Sequence, residues 1–332
     1  MGRARRSAAH SSQNARDTSF CDPARYARIC IRMGSPLAES RPEPQDRAPD
    51  LAVILCVRNG AATVRCQLEA LAAQEWDGTW EVVVVDHQST DATPRLLAEF
   101  VSAHPWFRVV EARGRPGLSH ARNVGVASTA AAAVAFCDDD DRVGEGWVAA
   151  MGTALRDHPV VACSFDWTLL NEGRRPKGVF QRKRVEEVLG YPVAAGAGGW
   201  QRWLWDALGG NDESLTFTGE DFDMSIRANL EHGVTPHFEP GAVYHVARRT
   251  GLRANFRQAR SYGRSSVVLY RRYGRGRVDR QSELRRSLRT WAWLARHALD
   301  LRDPVAGVAW VRHAGMRIGR LEQSLRSRTL WL

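Results

Sequence analysis

Between Leu51 and Cys137 the chain alternates short, β-branched apolar runs with segments whose apolar residues recur every three to four positions. Leu51-Ala-Val-Ile-Leu-Cys-Val57 is apolar throughout and stops at Arg58-Asn59-Gly60, which reads as a buried parallel strand running into a turn. Val64, Leu68, Leu71 and Ala72 then fall at helical spacing and predict a helix over Ala61 to Gln74. Trp80-Glu-Val-Val-Val-Val-Asp86 predicts a second buried strand. A helix over Thr90 to His104, a strand over Phe107 to Ala112, a helix over Ser119 to Ala127 and a strand over Ala132 to Cys137 follow by the same rules. The alternation predicts an α/β fold with a parallel-dominated mixed sheet flanked by helices. Ligands of such sheets bind beyond the carboxyl ends of the strands, where Asp86 and the run Asp138-Asp139-Asp140-Asp141 fall.

Four adjacent carboxylates after an apolar strand repel one another unless a cation neutralises them. Mg²⁺ or Mn²⁺ held by one or two carboxylates, with phosphate oxygens completing the octahedron, is the chemistry such a run suits. The alternative is a solvated loop or an Asp N-cap for the helix carrying Trp147 and Met151.

Charge is unevenly spread. Residues 51–247 carry 17 Lys+Arg against 26 Asp+Glu, whereas residues 248–332 carry 21 against 5. An acidic middle that attracts cations is thus joined to a basic end that attracts anions. Residues 1–49, rich in Arg, Ser and Pro without periodicity, read as a disordered leader, with Met33 as an alternative start. Arg3, Arg5 and Arg6 are not followed by the apolar stretch of a secretory signal. The longest uncharged run, Asn123 to Cys137, is 15 residues, short of the about 20 a spanning helix needs. Six cysteines with no CxxC pair fit a reduced, cytoplasmic chain.

Gly117-Leu-Ser-His-Ala-Arg-Asn-Val-Gly125, the strand to Phe136, the Asp run and Trp147 together resemble the family 2 glycosyltransferases of GT-A fold. Val85-Asp86-His87-Gln88-Ser89-Thr90-Asp91 is similar to that family's base-contacting loop, with His87 where a second Asp is common, and the Asp run to its D-x-D-D element. Leu208-Gly209-Gly210-Asn211-Asp212-Glu213, then Gly219-Glu220-Asp221-Phe222-Asp223 and Arg227, are similar to its G-G-x-D-E and G-E-D segments. The resemblance implies a metal-dependent, inverting hexosyltransferase that uses a nucleotide-diphospho-sugar donor and a glycan or lipid-linked acceptor of the cell envelope or surface. It implies donor contacts from Arg58, Asp86, Arg122, Asn123, Asp138 and Asp139, with His120 nearby. Asp138, Asp140 and His245 are the implied metal ligands.

An inverting transfer needs a base that takes the acceptor hydroxyl proton. The resemblance assigns this role to Asp221 with Glu220 in support; the alternative is an acidic first turn that only complements a helix dipole. His245 is otherwise a packed histidine at a strand end. Trp200, Trp203 and Trp205 supply core or a sugar platform, with two of the three expected in the core.

From Arg248 the arginines suggest two anionic partners, the donor diphosphate for the first of them and anionic headgroups of a membrane for the later ones. Leu284, Leu288, Trp291, Leu294, Ala295 and Ala298 share one helical face with Arg285, Arg286, Arg289 and Arg296 elsewhere, the layout of an interfacial helix or of one docked on the catalytic domain. The expected division is a leader over 1–49, a GT-A catalytic domain over 50–250 and a basic amphipathic helical extension over 251–332. The expected place is the cytoplasm, at the inner face of the cell membrane. A nucleotidyltransferase on a related sheet would use the same acidic site, but Arg58-Asn-Gly-Ala-Ala-Thr63 lacks the Lys and repeated glycines of a triphosphate loop. A nucleic-acid-binding protein would use the basic end and leave the acidic middle without a role, so no nucleic-acid partner is expected.

Overall fold

The computed structural model describes residues 48–171, 185–216, 218–303 and 305–331. Residues 1–47 of the leader, with Cys21, Cys30 and Met33, lie outside them. An eight-stranded sheet runs in the order β3 (Phe107–Glu111), β2 (Trp80–Asp86), β1 (Leu51–Val57), β4 (Ala133–Asp138), β9 (Gly199–Gln201), β6 (Val160–Asp166), β10 (His237–His245) and β5 (Arg142–Val143). Neighbours pair in parallel except β9 against β4 and β6, and β5 against β10. A separate hairpin joins β7 (Glu186–Val188) to β8 (Tyr191–Val193).

Every residue of β1 is buried, because the strand feeds two cores at once. Leu51, Val53, Leu55 and Val57 point to one face. There they pack with Val64, Leu68 and Leu71 of α1 (Val64–Ala72), Leu97 and Phe100 of α2 (Thr93–Ala103), and Trp147, Met151 and Leu155 of α4 (Trp147–Asp157). Ala52, Ile54 and Cys56 face the other core, with Ala121 of α3 (Leu118–Ala127), Trp205 of α5 (Arg202–Ala207) and Met224 of α6 (Glu220–His232). Burial of each large side chain contributes roughly 1.5–3 kcal/mol, so the period-2 alternation of one strand stabilises both helical layers.

The predicted strands and helices are present, α1 and α2 shorter than the sequence spacing suggests and α3 starting one residue earlier, at Leu118. Residues 61–63 form a turn that closes on the Gly60 carbonyl. Asp91 accepts the Thr93 amide, 3.0 Å away, and so delays α2 past Thr90. The N-cap of α4 is Gly146, so no aspartate of the acidic run caps the helix carrying Trp147. Trp200 and Trp205 are buried and Trp203 is half-exposed.

After β10 come α7 (Leu252–Leu269), α8 (Arg280–Arg296) and α9 (Ala306–Ser327). α7 and α9 approach closely through glycines: a Cβ on Gly263 would strike the Met316 carbonyl, and one on Gly319 the Arg260 carbonyl. Glu322 of α9 takes Arg260 and Arg264 of α7, both at 2.6 Å. α8 docks by Ser287 and Leu294, so Leu294 leaves the expected apolar face, and Leu284, Leu288 and Trp291 stay exposed. Trp331 stacks on Tyr270, Trp293 on His297, and the Trp310 indole donates to the Leu294 carbonyl. No helix among the described residues is long and apolar enough to cross a membrane.

Candidate active site

The loops after β1, β2 and β4 meet at one end of the sheet. Asn59 donates its backbone amide to Ser89 Oγ at 2.9 Å and accepts the Thr90 amide at 2.7 Å, stitching the first loop to the second. Asp86, buried, accepts the Ser89 amide at 3.2 Å. The exposed Arg58 lies close enough to His87 that its charge, after burial, lowers that histidine's pKa. His87 Nε2 in turn accepts the Gly117 amide at 3.0 Å, fixing the entry to α3. Gly60 backs onto the Asp139 carboxylate so closely that any side chain there would displace it.

Asp138 ends β4, and two buried glutamines of the α1 layer hold the turn that follows. Gln67 donates to the Asp138 carbonyl at 3.3 Å and accepts the Val143 amide at 2.9 Å. Gln74 donates to the Gly144 carbonyl and accepts the Val148 amide. Asp138, Asp139 and Asp140 stay half-exposed, while Asp141 is buried and accepts the Ala247 amide at 2.7 Å. The last aspartate is thereby committed to the segment just after β10, which leaves Asp138, Asp139 and Asp140 as the outward carboxylates. Burial, then the charge of Asp140, raises the Asp139 and Asp141 carboxyls well above the usual range; burial, then Asp138, raises Asp140. Arg249 opposes the rise at Asp139 and Asp140, so the start of the basic extension faces the acidic turn.

Arg122 joins this turn to the second motif. Its guanidinium lies over Phe136, donates to Glu220 at 3.1 Å and reaches Asp138 at 3.5 Å. Asp221, the next residue on α6, accepts the Gly196 amide at 2.7 Å and the Phe222 amide at 2.8 Å. Burial, then the Glu220 charge, pushes its carboxyl up to about 7. A carboxylate with that affinity for a proton, held by two backbone donors at a helix start, is suited to general base work near neutrality.

Asn123 is engaged within the protein. Its amide donates to the Asn211 carbonyl at 2.9 Å and to Glu213 at 3.1 Å, so it clasps the Gly209-Gly210-Asn211-Asp212-Glu213 turn. His120 also holds Glu213, at 3.1 Å. Arg227 grips the same turn through the Leu208 and Gly210 carbonyls.

His245 Nδ1 lies 2.7 Å from the Asp166 carboxylate, so Nε2 is the ring nitrogen left for a further partner. A carboxylate behind a ring nitrogen is how metal-binding histidines are commonly oriented. Among the described residues no three His, Cys, Asp or Glu side chains converge to hold an ion, so Asp138, Asp140 and His245 are not a preassembled cage. The donor chemistry fits a hard divalent cation nonetheless, since the crowded carboxyls of the turn carry proton affinities raised by burial and mutual repulsion, which a cation would relieve.

The extension contributes to the site, which sequence reasoning missed. Thr218 and Ser265 hydroxyls lie 2.8 Å apart, and Gly219 packs under Ser265 and Leu269 of α7. Tyr262, one turn earlier on α7, is 36% exposed, and the charges of Asp221, Arg249 and Asp138 all act on its hydroxyl. Asp223, 1% exposed, binds Arg227 at 2.9 Å and, from the extension, Arg272 and Tyr273 at 2.7 Å each. The helical spacing of the extension gave no sign of these partners, because they pair residues that are 47 to 50 positions apart in sequence.

Residues 52–200 match the family model described as Glycosyl transferase family 2. Succinoglycan biosynthesis protein ExoO of Rhizobium meliloti is 36% identical over 102 residues, 31% of this chain and 28% of that protein. Putative glycosyltransferase EpsH of Bacillus subtilis is 28% identical over 118 residues, 35% and 34% of the two chains. The chain thus spans about a third of the length of these curated relatives. Among solved structures, a mannosyltransferase from Pyrobaculum calidifontis in complex with GDP-Man and Mn²⁺ superposes with a TM-score of 0.59 at 21% identity, covering 91% of this chain and 94% of that one. Residues 52–200 thus belong with glycosyl transferase family 2, and the sheet that they form most of has the GT-A fold.

Proposed function

We propose that the protein transfers a hexosyl group, with inversion, from a nucleotide-diphospho-sugar to a hydroxyl of a cell-envelope or surface glycan or of a lipid-linked acceptor. The observation that carries this reading is the Arg122 bridge, which ties the Asp138 turn to Glu220 and so brings a donor-binding group and the candidate base Asp221 into one cleft. Arg58 and Asp86 meet the nucleoside, and Asp138 and Asp139 its ribose and diphosphate. Asp221 removes the proton as the acceptor oxygen bonds to the anomeric carbon, whose bond to the phosphate oxygen breaks on the opposite side; the electron pair leaves with the nucleoside diphosphate. Asp138, Asp140 and His245 would hold Mg²⁺ or Mn²⁺, which when bound neutralises charge on the departing diphosphate. Arg249 adds a fixed positive charge on that side, and Tyr262 offers an aromatic wall toward the acceptor.

The GDP-Man and Mn²⁺ named with the Pyrobaculum calidifontis enzyme, and the succinoglycan biosynthesis named for the Rhizobium meliloti relative, support the donor class, the cation and a glycan product. The reading places the enzyme in the cytoplasm, with its basic extension against the anionic inner face of the cell membrane. A panel of nucleotide-sugars tested for donor hydrolysis, with Mn²⁺ and with excess EDTA, needs no acceptor. One donor hydrolysed only with the cation is the expected result; hydrolysis of none, or hydrolysis indifferent to EDTA, overturns the metal-dependent reading.

A further inference from the structure

The extension keeps much of its surface apolar. Leu284, Leu288 and Trp291 of α8 are 44%, 60% and 40% exposed, and they recur at four and three residues, one ridge along the helix. Leu299, Leu301 and Val305 continue the exposed apolar surface past its end. The helix is anchored along one flank of the ridge by Ser287 and Leu294, and Asp279 caps it through the Gln281 and Ser282 amides. It is therefore a settled helix whose ridge has no cover within the described chain.

Arginines flank the ridge. Arg285, Arg289 and Arg296 are exposed and lie along one edge, and Ser282, Glu283, Arg285, Arg286 and Arg289 line a shallow cleft of about 250 Å³. Other basic groups of the extension are used internally: Arg260 and Arg264 on Glu322, Arg272 on Asp223 and Asp212. Among the described residues Arg285, Arg289 and Arg296 carry no such internal ion pair and stand exposed beside the exposed leucines, although other exposed arginines, Arg271, Arg275 and Arg277 among them, lie elsewhere on the extension. An apolar ridge bordered by cations matches the boundary between acyl chains and anionic headgroups. A second copy of this ridge would bring the same arginines face to face.

We infer that the Leu284-Leu288-Trp291 ridge of α8 lies in an anionic phospholipid surface, with headgroup phosphates taken by Arg285, Arg289 and Arg296. Of the four tryptophans Trp291, Trp293, Trp310 and Trp331, the ridge uses Trp291, since Trp293, Trp310 and Trp331 are engaged inside the extension. Docking of this kind rests on the membrane-facing part of the proposed function and not on sugar transfer, so vesicle binding and donor hydrolysis fail separately.

The full chain is centrifuged with vesicles of phosphatidylglycerol or of phosphatidylcholine at low and high salt. Pelleting with the anionic vesicles, weakened by salt and absent with the neutral ones, is expected. Arg285→Gln/Arg289→Gln/Arg296→Gln should weaken it by roughly ten- to a hundred-fold, and Leu284→Ser/Leu288→Ser/Trp291→Ser at least as much. Both triple variants change exposed side chains only, and an unaltered melting temperature checks that each is folded; should the apolar variant misfold, the arginine variant carries the test. Undiminished pelleting of a folded variant overturns the inference. So does a wild-type dimer, seen by sedimentation velocity without lipid, that the leucine substitutions dissociate, because the ridge would then belong to a second copy.

Discussion

Arg122 and Glu220, 98 positions apart in sequence, meet at 3.1 Å with side chains only 5% and 8% exposed. The pair locks α3 to α6 across the sheet's binding end. Removing one partner from a buried ion pair strands the other charge, at a cost of about 3–5 kcal/mol, whereas replacing both by apolar groups is often close to neutral. Arg122→Met should therefore lower unfolding free energy by that amount, and Arg122→Met/Glu220→Leu should recover most of it. Urea denaturation of the two variants measures this; a single variant within 1 kcal/mol of wild type would show that Glu220 finds water or another donor.

Asp221 acts as a base only when ionised. Its carboxyl is pushed up to about 7, first by burial and then by Glu220, so the active fraction grows as pH rises through that value and is lost below it. kcat/KM should climb on the acid side with an apparent pKa near 7, and Asp221→Asn should abolish that limb. The same variant should keep donor affinity and lose roughly 10² to 10⁴ in transfer rate. A near wild-type rate per folded molecule would remove Asp221 from the base role.

Metal dependence has a reading in stability as well as in turnover. With Mn²⁺ at about a hundred times its Kd, the folded state gains roughly 2.7 kcal/mol, visible as a higher melting temperature. Asp140→Ala and Asp138→Ala should abolish that increment together with metal-dependent nucleotide binding and turnover. In EDTA, Asp140→Ala should melt no lower than wild type, because it removes one of several mutually repelling carboxylates. Full turnover in EDTA contradicts all of these.

Asp223 is the hinge pin between catalytic helix and extension. Asp223→Ala leaves Arg227, Arg272 and Tyr273 without their common acceptor, so a loss of about 3–5 kcal/mol is expected. Proteolysis should then cut faster near residues 270–280 than elsewhere. Uniform protection would place the clamp's stability in the α7 to α9 packing instead.

Much of this fold was legible because β1 and β2 are apolar on both faces and their helices keep a clean apolar stripe; period and burial are local properties of the chain. The Asp run and the Gly219-Glu220-Asp221 segment were legible as chemistry for the same reason. What stayed hidden is pairing at a distance. Nothing around Gln67 or Gln74 announces that their amides carry the acidic turn, and nothing around Asn123 announces that its amide holds Asn211 and Glu213. The sequence left open whether the extension docks on the catalytic domain; Arg272 and Tyr273 bind it to the first turn of α6, and Ser265 to Thr218 just before that turn. Ending the chain near Tyr273 would strip α9 from α7, so surface variants of α8 are the cleaner probe of its face.

The two-sided burial of β1 also bears on how errors in folding are handled. Cys56 stands opposite Asp138 in the β1 to β4 ladder, one residue before the strand hands over to Val57 and the Arg58 loop. A slip of one position would swap every side chain of β1 between the two cores and carry Gly60 away from Asp139 in the same movement. A misregistered molecule would thus be too unstable to persist as a folded but miswired enzyme. Quality control of the catalytic cleft is delegated to the packing of leucine and valine several residues away.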